Sequence, residues 1–285
     1  MAKRTATPAV AGARRPRAGV LAACLLVALA GCAGSPPEAD RPSEGYLAPA
    51  APAGRPAVLV FTRTAGFRHA SIPAAADAVR RLGREAGLAV DVTEDPARFS
   101  DAGLRGYRAV VFLHTTGHVL GAREQAALER FVGAGGGWVG VHAAADADPG
   151  WPWQLGLIGA EFTGHPPVQQ ADVLVEDPAH PSTRSLPRRW TRTDEWYNFR
   201  ASPRGRARVL LTLDEATYQG GTMGADHPVA WCRRYAGGRS WYTALGHTEA
   251  TWRERPFLEH LLGGIRWAAG LVPGSCDRSS ESQRP

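Results

Sequence analysis

The sequence predicts an α/β fold with a doubly wound, mainly parallel β-sheet and antiparallel additions in its second half. Three observations predict it. Short strands alternate with amphipathic helices over residues 57–141, these strands are apolar throughout, and strand-like runs separated by Pro and Gly follow over residues 168–245. Strands that are apolar on both faces are typical of a parallel sheet that helices cover on both sides.

The first unit is a strand followed by a helix. Residues 57–61 (AVLVF) are short, apolar and uninterrupted, which predicts a buried strand. Residues 74–86 carry apolar side chains at helical spacing; Ser71 can cap this helix, Pro73 is tolerated in its first turn, and Gly87 ends it.

The remaining elements follow from the same patterns. Helices are predicted over 123–132 and 255–268, and strands over 88–92, 109–113, 138–141, 168–175, 190–199, 209–213, 229–235 and 240–245. Right-handed crossovers between the parallel strands place the functional crevice beyond their carboxyl ends.

Three polar loops are therefore expected to converge at one edge of the sheet: 62–69, 114–117 and 142–146. His114, His142 and His247 each follow an apolar strand run directly. A single strand-end histidine can simply bond to a backbone group. Three imidazoles at one edge must instead bind a metal, share protons or lower each other's pKa values.

His142 occupies the turn from a strand into a helix, the position at which several α/β enzymes carry their nucleophile. Acyl transfer would require Ser or Cys there. Cys232 lies in a predicted strand far downstream. Glutaminase and esterase chemistry are therefore disfavoured.

A pair of adjacent carboxylates lies in the predicted strand 190–199. Alternation along a strand would place Asp194 on one face with Trp196, and Glu195 on the other with Tyr197, so that one carboxylate faces the crevice and the other is solvated. The sequence lacks an H-E-x-x-H motif. Two possibilities stay open: general acid–base catalysis without a metal, or a divalent metal with these candidate ligands: His142, Glu195 and His247.

Nine tryptophans are many for a chain of 285 residues. Trp151 and Trp153 follow the loop after the fourth predicted strand and are well placed to stack on a sugar ring, although a hydrophobic plug beneath a loop is the alternative. Four others lie inside strand or helix patterns and are expected in the core: Trp138, Trp231, Trp241 and Trp267.

The N-terminal segment predicts export. Residues 1–17 are basic and residues 18–30 are apolar, a run shorter than the roughly 20 residues that a membrane-spanning helix needs. The motif that ends at Cys32 (Leu-Ala-Gly-Cys) resembles a bacterial lipobox, with an ordinary secretory signal as the alternative. We expect a lipoprotein signal peptide over 1–31, lipid on Cys32, and a Pro/Ala-rich tether over 32–56.

The charge of the chain is unevenly distributed. The formal net charge is +6, but the first 31 residues contain no acidic residue and five basic ones: Lys3, Arg4, Arg14, Arg15 and Arg17. The remainder is nearly neutral, so nucleic acid is not an expected partner.

Only two cysteines remain for the folded part. Cys232 and Cys276 could pair in an oxidising compartment, but sequence provides no distance between them, and their pairing stays open. Two cysteines so far apart exclude a zinc ribbon.

Several motifs in one order resemble the ThuA-like, or trehalose utilisation, family over about residues 57–270, followed by a polar tail at 271–285. The motifs are FTRTAGFRH at 61–69, GGWVGVHAAAD at 136–146, GHP at 164–166, TDEWY at 193–197 and ALGH at 244–247. The resemblance implies a flavodoxin-like fold similar to class I glutamine amidotransferases without their cysteine nucleophile. It also implies a role in the catabolism of trehalose and related disaccharides, including 3-keto sugars.

The resemblance further implies that six residues form the crevice: His69, His142, Asp146, His165, Glu195 and His247. Four residues are expected to be catalytic: His142, Asp146, Glu195 and His247. Seven residues are expected to bind substrate: Thr64, Arg68, His69, Thr116, Trp153, His165 and Tyr197.

The expected protein is lipid-anchored and extracytoplasmic, and its partners are a carbohydrate ligand and the membrane. It is expected to be a carbohydrate-active enzyme of the hydrolase or isomerase class; a non-catalytic sugar-binding surface lipoprotein is the alternative. Its substrate, reaction direction, metal and oligomeric state stay open.

Overall fold

One large sheet organises the protein in the computed structural model, which describes residues 54–276. Four α-helices accompany the strands of this part of the chain: α1 Ile72–Ala86, α2 Ala122–Gly133, α3 Pro152–Ile158 and α4 Arg255–Ala268. The thirteen strands of the same residues are β1 Ala57–Phe61, β2 Ala89–Thr93, β3 Tyr107–Leu113, β4 Thr116–Gly117, β5 Gly137–Val141, β6 Asp146–Ala147, β7 Phe162–Gly164, β8 Gln169–Val175, β9 Arg189–Asp194, β10 Asn198–Phe199, β11 Arg208–Asp214, β12 Pro228–Tyr235 and β13 Gly238–Thr243.

Nine of these strands form the large sheet, in the order β2-β1-β3-β5-β13-β12-β11-β8-β9. Neighbours from β2 to β13 are parallel, and neighbours from β13 to β9 are antiparallel. The predicted mixed α/β class with antiparallel additions is therefore confirmed. The doubly wound, flavodoxin-like description stays a prediction.

The parallel half is buried, as its sequence predicts. Val58–Phe61 of β1 have no exposed surface. α1 ends at Gly87, whose φ of 73° is the left-handed conformation that glycine adopts most readily. The predicted side-chain cap is wrong: Ser71 precedes the helix, but its hydroxyl forms no hydrogen bond to it. The four tryptophans predicted for the core are all buried: Trp138, Trp231, Trp241 and Trp267.

One predicted strand differs from the structure, and one helix was not predicted. The strand predicted over 190–199 leaves the sheet after Asp194, and Asn198–Phe199 pair instead with β7. Strand alternation therefore does not govern Glu195, and Asp194 and Glu195 are both buried. α3, a helix of seven residues, was missed, because such a short Pro- and Trp-rich stretch shows little helical periodicity.

A disulfide joins Cys232 of β12 to Cys276, with their Cα atoms 5.5 Å apart. It ties the beginning of the C-terminal tail to the sheet. No helix among residues 54–276 is long and apolar enough to cross a membrane. The predicted signal peptide, Cys32 with most of the tether, and the tail beyond residue 276 lie outside the described residues.

The three polar loops converge as predicted. Thr64 pairs with Thr116, and Thr116 pairs with Asp146, each in parallel register. These pairings bring the segments that follow β1, β3 and β5 together at the carboxyl ends of the parallel strands.

Candidate active site

Three imidazoles and one carboxylate meet at this edge of the sheet. His69, His142, Glu195 and His247 each offer one ligand atom, and these four atoms all lie within 4.8 Å of one another. His69 follows β1, His142 follows β5, Glu195 follows β9 and His247 follows β13, so four separate stretches of chain build the cluster. We call these four residues the histidine–glutamate site.

His142 is the central and most constrained member. It has a φ of 52° and no exposed surface, a backbone conformation that is uncommon outside glycine and clusters at functional sites. Its Nδ1 lies 2.7 Å from the carbonyl oxygen of Ala244, which can only accept a hydrogen bond. Nδ1 therefore carries the proton, and Nε2 faces Glu195 Oε2 at 3.3 Å and His247 Nδ1 at 3.2 Å.

Charge in the site is concentrated on Glu195. Burial opposes its ionisation, but the adjacent imidazoles of His142 and His247 hold its pKa well below the usual range. The same carboxylate, 3.2 Å from His247 Nδ1, raises the pKa of His247. Burial, together with the neighbouring imidazoles, lowers the pKa of His69 to about 3. The site thus combines an ionised carboxylate with an imidazole that is neutral at pH 7.

Asp194 holds two members of the site in place. Its carboxylate accepts hydrogen bonds from the backbone N–H groups of Gly246 and His247, at 2.8 and 2.9 Å, and from that of Glu195, at 3.1 Å. Arg192 forms a buried ion pair with it at 3.1 Å. One buried side chain therefore links the end of β9 to the loop after β13, and so sets the spacing of Glu195 and His247.

Two of the predicted substrate-binding residues also contact the site. His165 Nδ1 lies 3.0 Å from Glu195 Oε1, and its side chain is 39% exposed. The ring of Tyr197 packs on that of His142, with centroids 4.3 Å apart. Asp146, predicted to be catalytic, lies on β6, and partial burial raises its pKa; among the described residues no hydrogen bond or ion pair joins it to the four-residue site.

The other predicted binding residues have different surroundings. Thr116 donates a hydrogen bond to the carbonyl oxygen of Phe67 at 2.7 Å and so braces the loop that carries His69. Arg68 donates to Thr64 Oγ1 and pairs with Glu94 at 2.7 Å, half-exposed.

Trp153, predicted to contact the sugar, stacks on Trp151 and meets the edge of Tyr235. The structure does not bring it to the histidine–glutamate site.

Comparison with known proteins now assigns the family. The sequence profile described as "ThuA: Trehalose utilisation" matches residues 57–268. The chain belongs to the ThuA family. No curated protein matches it.

Solved structures agree with the ThuA assignment. A ThuA-like protein from Bacteroides uniformis is 29% identical, with a TM-score of 0.66, over 79% of this chain and 95% of the other. A ThuA-like protein from Parabacteroides merdae is 22% identical, with a TM-score of 0.64, over 78% and 92% of the two chains. The second comparison supports the fold alone.

Two further residues of this ThuA-family chain belong to the surroundings of the site: His114, which was predicted at this edge of the sheet but not as a catalytic or binding residue, and Phe67, which was not predicted. His114 is wholly buried, has a φ of 56°, and its ring lies 4.9 Å from that of His69. Its position at the end of β3 was the available signal. Phe67 is 67% exposed, and its ring meets His69 edge-on at 4.9 Å. The sequence does not indicate that Phe67 is exposed, because an aromatic residue two positions before a histidine can be buried or exposed.

The donor set of the ThuA site fits a divalent transition metal. Imidazole nitrogen and carboxylate oxygen are ligands for Zn, Mn, Fe or Ni, and the four ligand atoms lie within 4.8 Å of one another. The carbonyl oxygen of Ala244 orients His142 as outer-shell partners orient metal-bound imidazoles. A buried Nδ1 of His69 has no hydrogen-bond partner among residues 54–276. A further group, His180 with Cys232 and Cys276, offers no thiolate because the cysteines are bonded to each other.

Proposed function

We propose that this ThuA-family protein is a metal-dependent enzyme that acts on a carbohydrate, trehalose or a related disaccharide, including 3-keto forms. One observation carries the proposal: the buried convergence of His69, His142, Glu195 and His247 within 4.8 Å. The family description, trehalose utilisation, supports a disaccharide as the substrate class. The lack of Ser or Cys at position 142 speaks against acyl transfer.

The arrangement supports hydrolysis or isomerisation by polarisation and proton transfer. A divalent ion held by the four side chains would supply a Lewis acid for a sugar oxygen. The two carboxylate oxygens of Glu195 have different neighbours: Oε2 lies near His142 and His247, and Oε1 lies near His165. His165 is the most exposed of these imidazoles. It is therefore the group best placed to exchange a proton with a sugar hydroxyl or glycosidic oxygen.

We further propose that the protein is lipid-anchored outside the cytoplasm. The apolar run at 18–30 followed by Cys32 supports a lipoprotein signal. The disulfide between Cys232 and Cys276 is consistent with an oxidising compartment. Metabolic labelling with a fatty acid tests the anchor: the wild type is expected to incorporate the label, and Cys32→Ser to lose it. Equal labelling of both proteins would contradict it.

The enzymatic proposal is tested by metal analysis and turnover together. The purified full-length chain is expected to bind about one divalent ion and to convert trehalose or 3-keto-trehalose. His142→Ala and Glu195→Gln should lose both properties. His118→Ala is the matched control, because His118 is an exposed histidine outside the site, and it should behave as the wild type.

Two results would contradict this proposal. Saturable sugar binding without product, unchanged in His142→Ala, would favour the non-catalytic sugar-binding protein. Turnover that persists in metal-free protein would remove the metal from the mechanism and leave Glu195 and His165 as an acid–base pair.

A further inference from the structure

A cavity of about 280 Å³ lies beside α3. Its lining includes Asp146, Asp148, Trp151, Gln154, Leu155 and Phe162. We call it the α3 cavity. Its volume is at the lower end of the roughly 300–1,000 Å³ that is typical of small-molecule pockets, which suits one ring-sized ligand.

The polar lining of the α3 cavity offers acceptors in excess of donors. Asp148 is 2% exposed; its Oδ1 accepts from the backbone N–H groups of Val119 and Leu120, while its Oδ2 has no partner in the described part of the chain. Gln154 is 1% exposed; its amide nitrogen donates to the carbonyl oxygen of Ala147 at 2.9 Å, so its Oε1 is identified as the oxygen, and this atom is equally unpartnered there.

Buried acceptors without partners are costly, and in native structures they indicate a missing donor. Among the described residues, the cavity lining contains no Lys or Arg that could supply one. A ligand that donates hydrogen bonds through hydroxyl groups would supply it.

The other walls of the cavity are apolar and firmly held. The indole N–H of Trp151 donates to Glu129 at 3.2 Å, which fixes the plane of its ring. Leu155 is 44% exposed, a large fraction for an apolar side chain, and it lines the cavity with Trp151 and Phe162. A pyranose ring, with hydroxyls at its rim and C–H groups on its faces, matches both kinds of wall.

One residue of the cavity lining, Phe162, also packs on residues that contact the histidine–glutamate site. Phe162 packs on Tyr197, with ring centroids 4.2 Å apart, and its ring stacks near that of His165 at 6.1 Å. Tyr197 in turn packs on His142. The ring of Phe162 therefore lies between the cavity and His165, and the rings of Phe162 and Tyr197 lie between the cavity and His142.

We propose that the α3 cavity is a binding subsite for one sugar ring of the substrate, and that the substrate is a saccharide of at least two units whose second unit lies at the histidine–glutamate site. This inference rests on the proposed function for its substrate class. Trp151 covers one face of the ring, and Asp146, Asp148 and Gln154 accept hydrogen bonds from its hydroxyls.

The subsite is tested by measuring the binding of D-glucose and of trehalose to the full-length chain. Isothermal titration calorimetry and saturation-transfer NMR are the two methods. Asp148→Asn replaces the free oxygen by a donor; asparagine tolerates the residue's φ of 45° and retains an oxygen for the contacts with Val119 and Leu120. Trp151→Leu removes the stacking surface. Each variant is expected to weaken the binding of both sugars by about ten-fold.

Two matched controls accompany these variants. Trp153→Leu removes the tryptophan that stacks behind Trp151, outside the cavity lining, and should leave sugar affinity near that of the wild type. Glu124→Gln changes a carboxylate in a separate cavity lined by α2 and residues 97–101, with no effect expected. Circular dichroism at each step checks that the variants remain folded.

The outcomes separate this inference from the proposed function. Glucose binding that survives in His142→Ala but is lost in Asp148→Asn supports the subsite, whether or not the protein turns over sugar. Metal-dependent turnover with wild-type sugar affinity in both cavity variants overturns the subsite and leaves the function standing. Absence of glucose and trehalose binding to the wild type, or an equal loss in Trp153→Leu, also overturns it.

Discussion

Asp194 is the residue whose replacement tests the construction of the site most directly. Its carboxylate accepts backbone hydrogen bonds from Glu195, Gly246 and His247 and pairs with Arg192, and it has no exposed surface. Asp194→Asn keeps the shape of the side chain. It replaces one accepting oxygen by an NH₂ group that faces an N–H donor, and it removes the charge opposite Arg192.

The expected cost of this change follows from the buried ion pair. Breaking one partner of such a pair costs about 3–5 kcal/mol. Arg192 keeps contacts with Thr251 at 2.9 Å and with Glu254 at 3.3 Å, which favours the lower end, about 3 kcal/mol. For a domain of this size, each kcal/mol shifts Tm by about 2–4 °C, so we expect a decrease of about 6–12 °C.

The same variant should weaken the metal site, since Glu195 and His247 lose their common anchor. We expect metal affinity to fall about ten-fold, a magnitude typical of outer-shell changes. Differential scanning calorimetry and a metal-chelator competition measure the two effects. Asp172→Asn is the matched control, an aspartate in an exposed network with Arg189 and Thr191, and both properties should stay unchanged. A Tm decrease below about 2 °C together with wild-type metal affinity would refute the reasoning.

Three further predictions concern stability and the mouth of the site. Burial lowers the pKa of His180 to about 4 and that of His260 to about 3. Below pH 6.5 the unfolded chain therefore takes up protons on these two histidines that the native state does not take up. In urea denaturation, the free energy of unfolding should fall by about 1.4 kcal/mol per pH unit for each histidine from pH 6 towards 4. The slope should be smaller in His260→Gln; an unchanged slope would contradict the assignment. Cys232→Ser opens a disulfide that spans 44 residues and should cost about 4 kcal/mol in urea denaturation under oxidising conditions; equal stability of variant and wild type would show that the crosslink contributes nothing. Phe67→Ala should weaken trehalose binding by about 1 kcal/mol without changing metal content, measured by titration against Val168→Ala, another exposed apolar residue; a loss of metal would instead make Phe67 a support for His69.

Local patterns were sufficient for most of the secondary structure. β1 and α4 have the predicted bounds, and the other strands of the parallel half differ from their predicted limits by one or two residues at an end. Apolar runs predict buried strands, and glycines predict the ends of helices, because both features depend mainly on residues that are neighbours in the sequence. The short α3 and the end of the strand at Asp194 could not be predicted from local patterns, because contacts with distant segments determine them.

The candidate site could also be predicted only in part from the sequence. Residue type and strand-end position indicated His142, Glu195 and His247 as candidates that meet, and the family resemblance added His69 and His165. The distances between the ligand atoms could not be predicted, because these atoms come from four stretches of the chain that only the tertiary fold brings within 4.8 Å of one another. The sequence could not show that Trp153 packs behind Trp151, because stacking between neighbours and exposure to a cavity have the same local signature.

The amino-acid sequence alone therefore determined the α/β class, the ThuA resemblance and the edge of the sheet at which chemistry is expected, since each depends on residue types in order along the chain. The tertiary structure decided which side chains touch: the pairing of Cys232 with Cys276, the anchoring of Glu195 and His247 by Asp194, and the cavity beside α3. These features depend on separations through space between residues far apart in the chain, and such separations exist only once the sheet has formed.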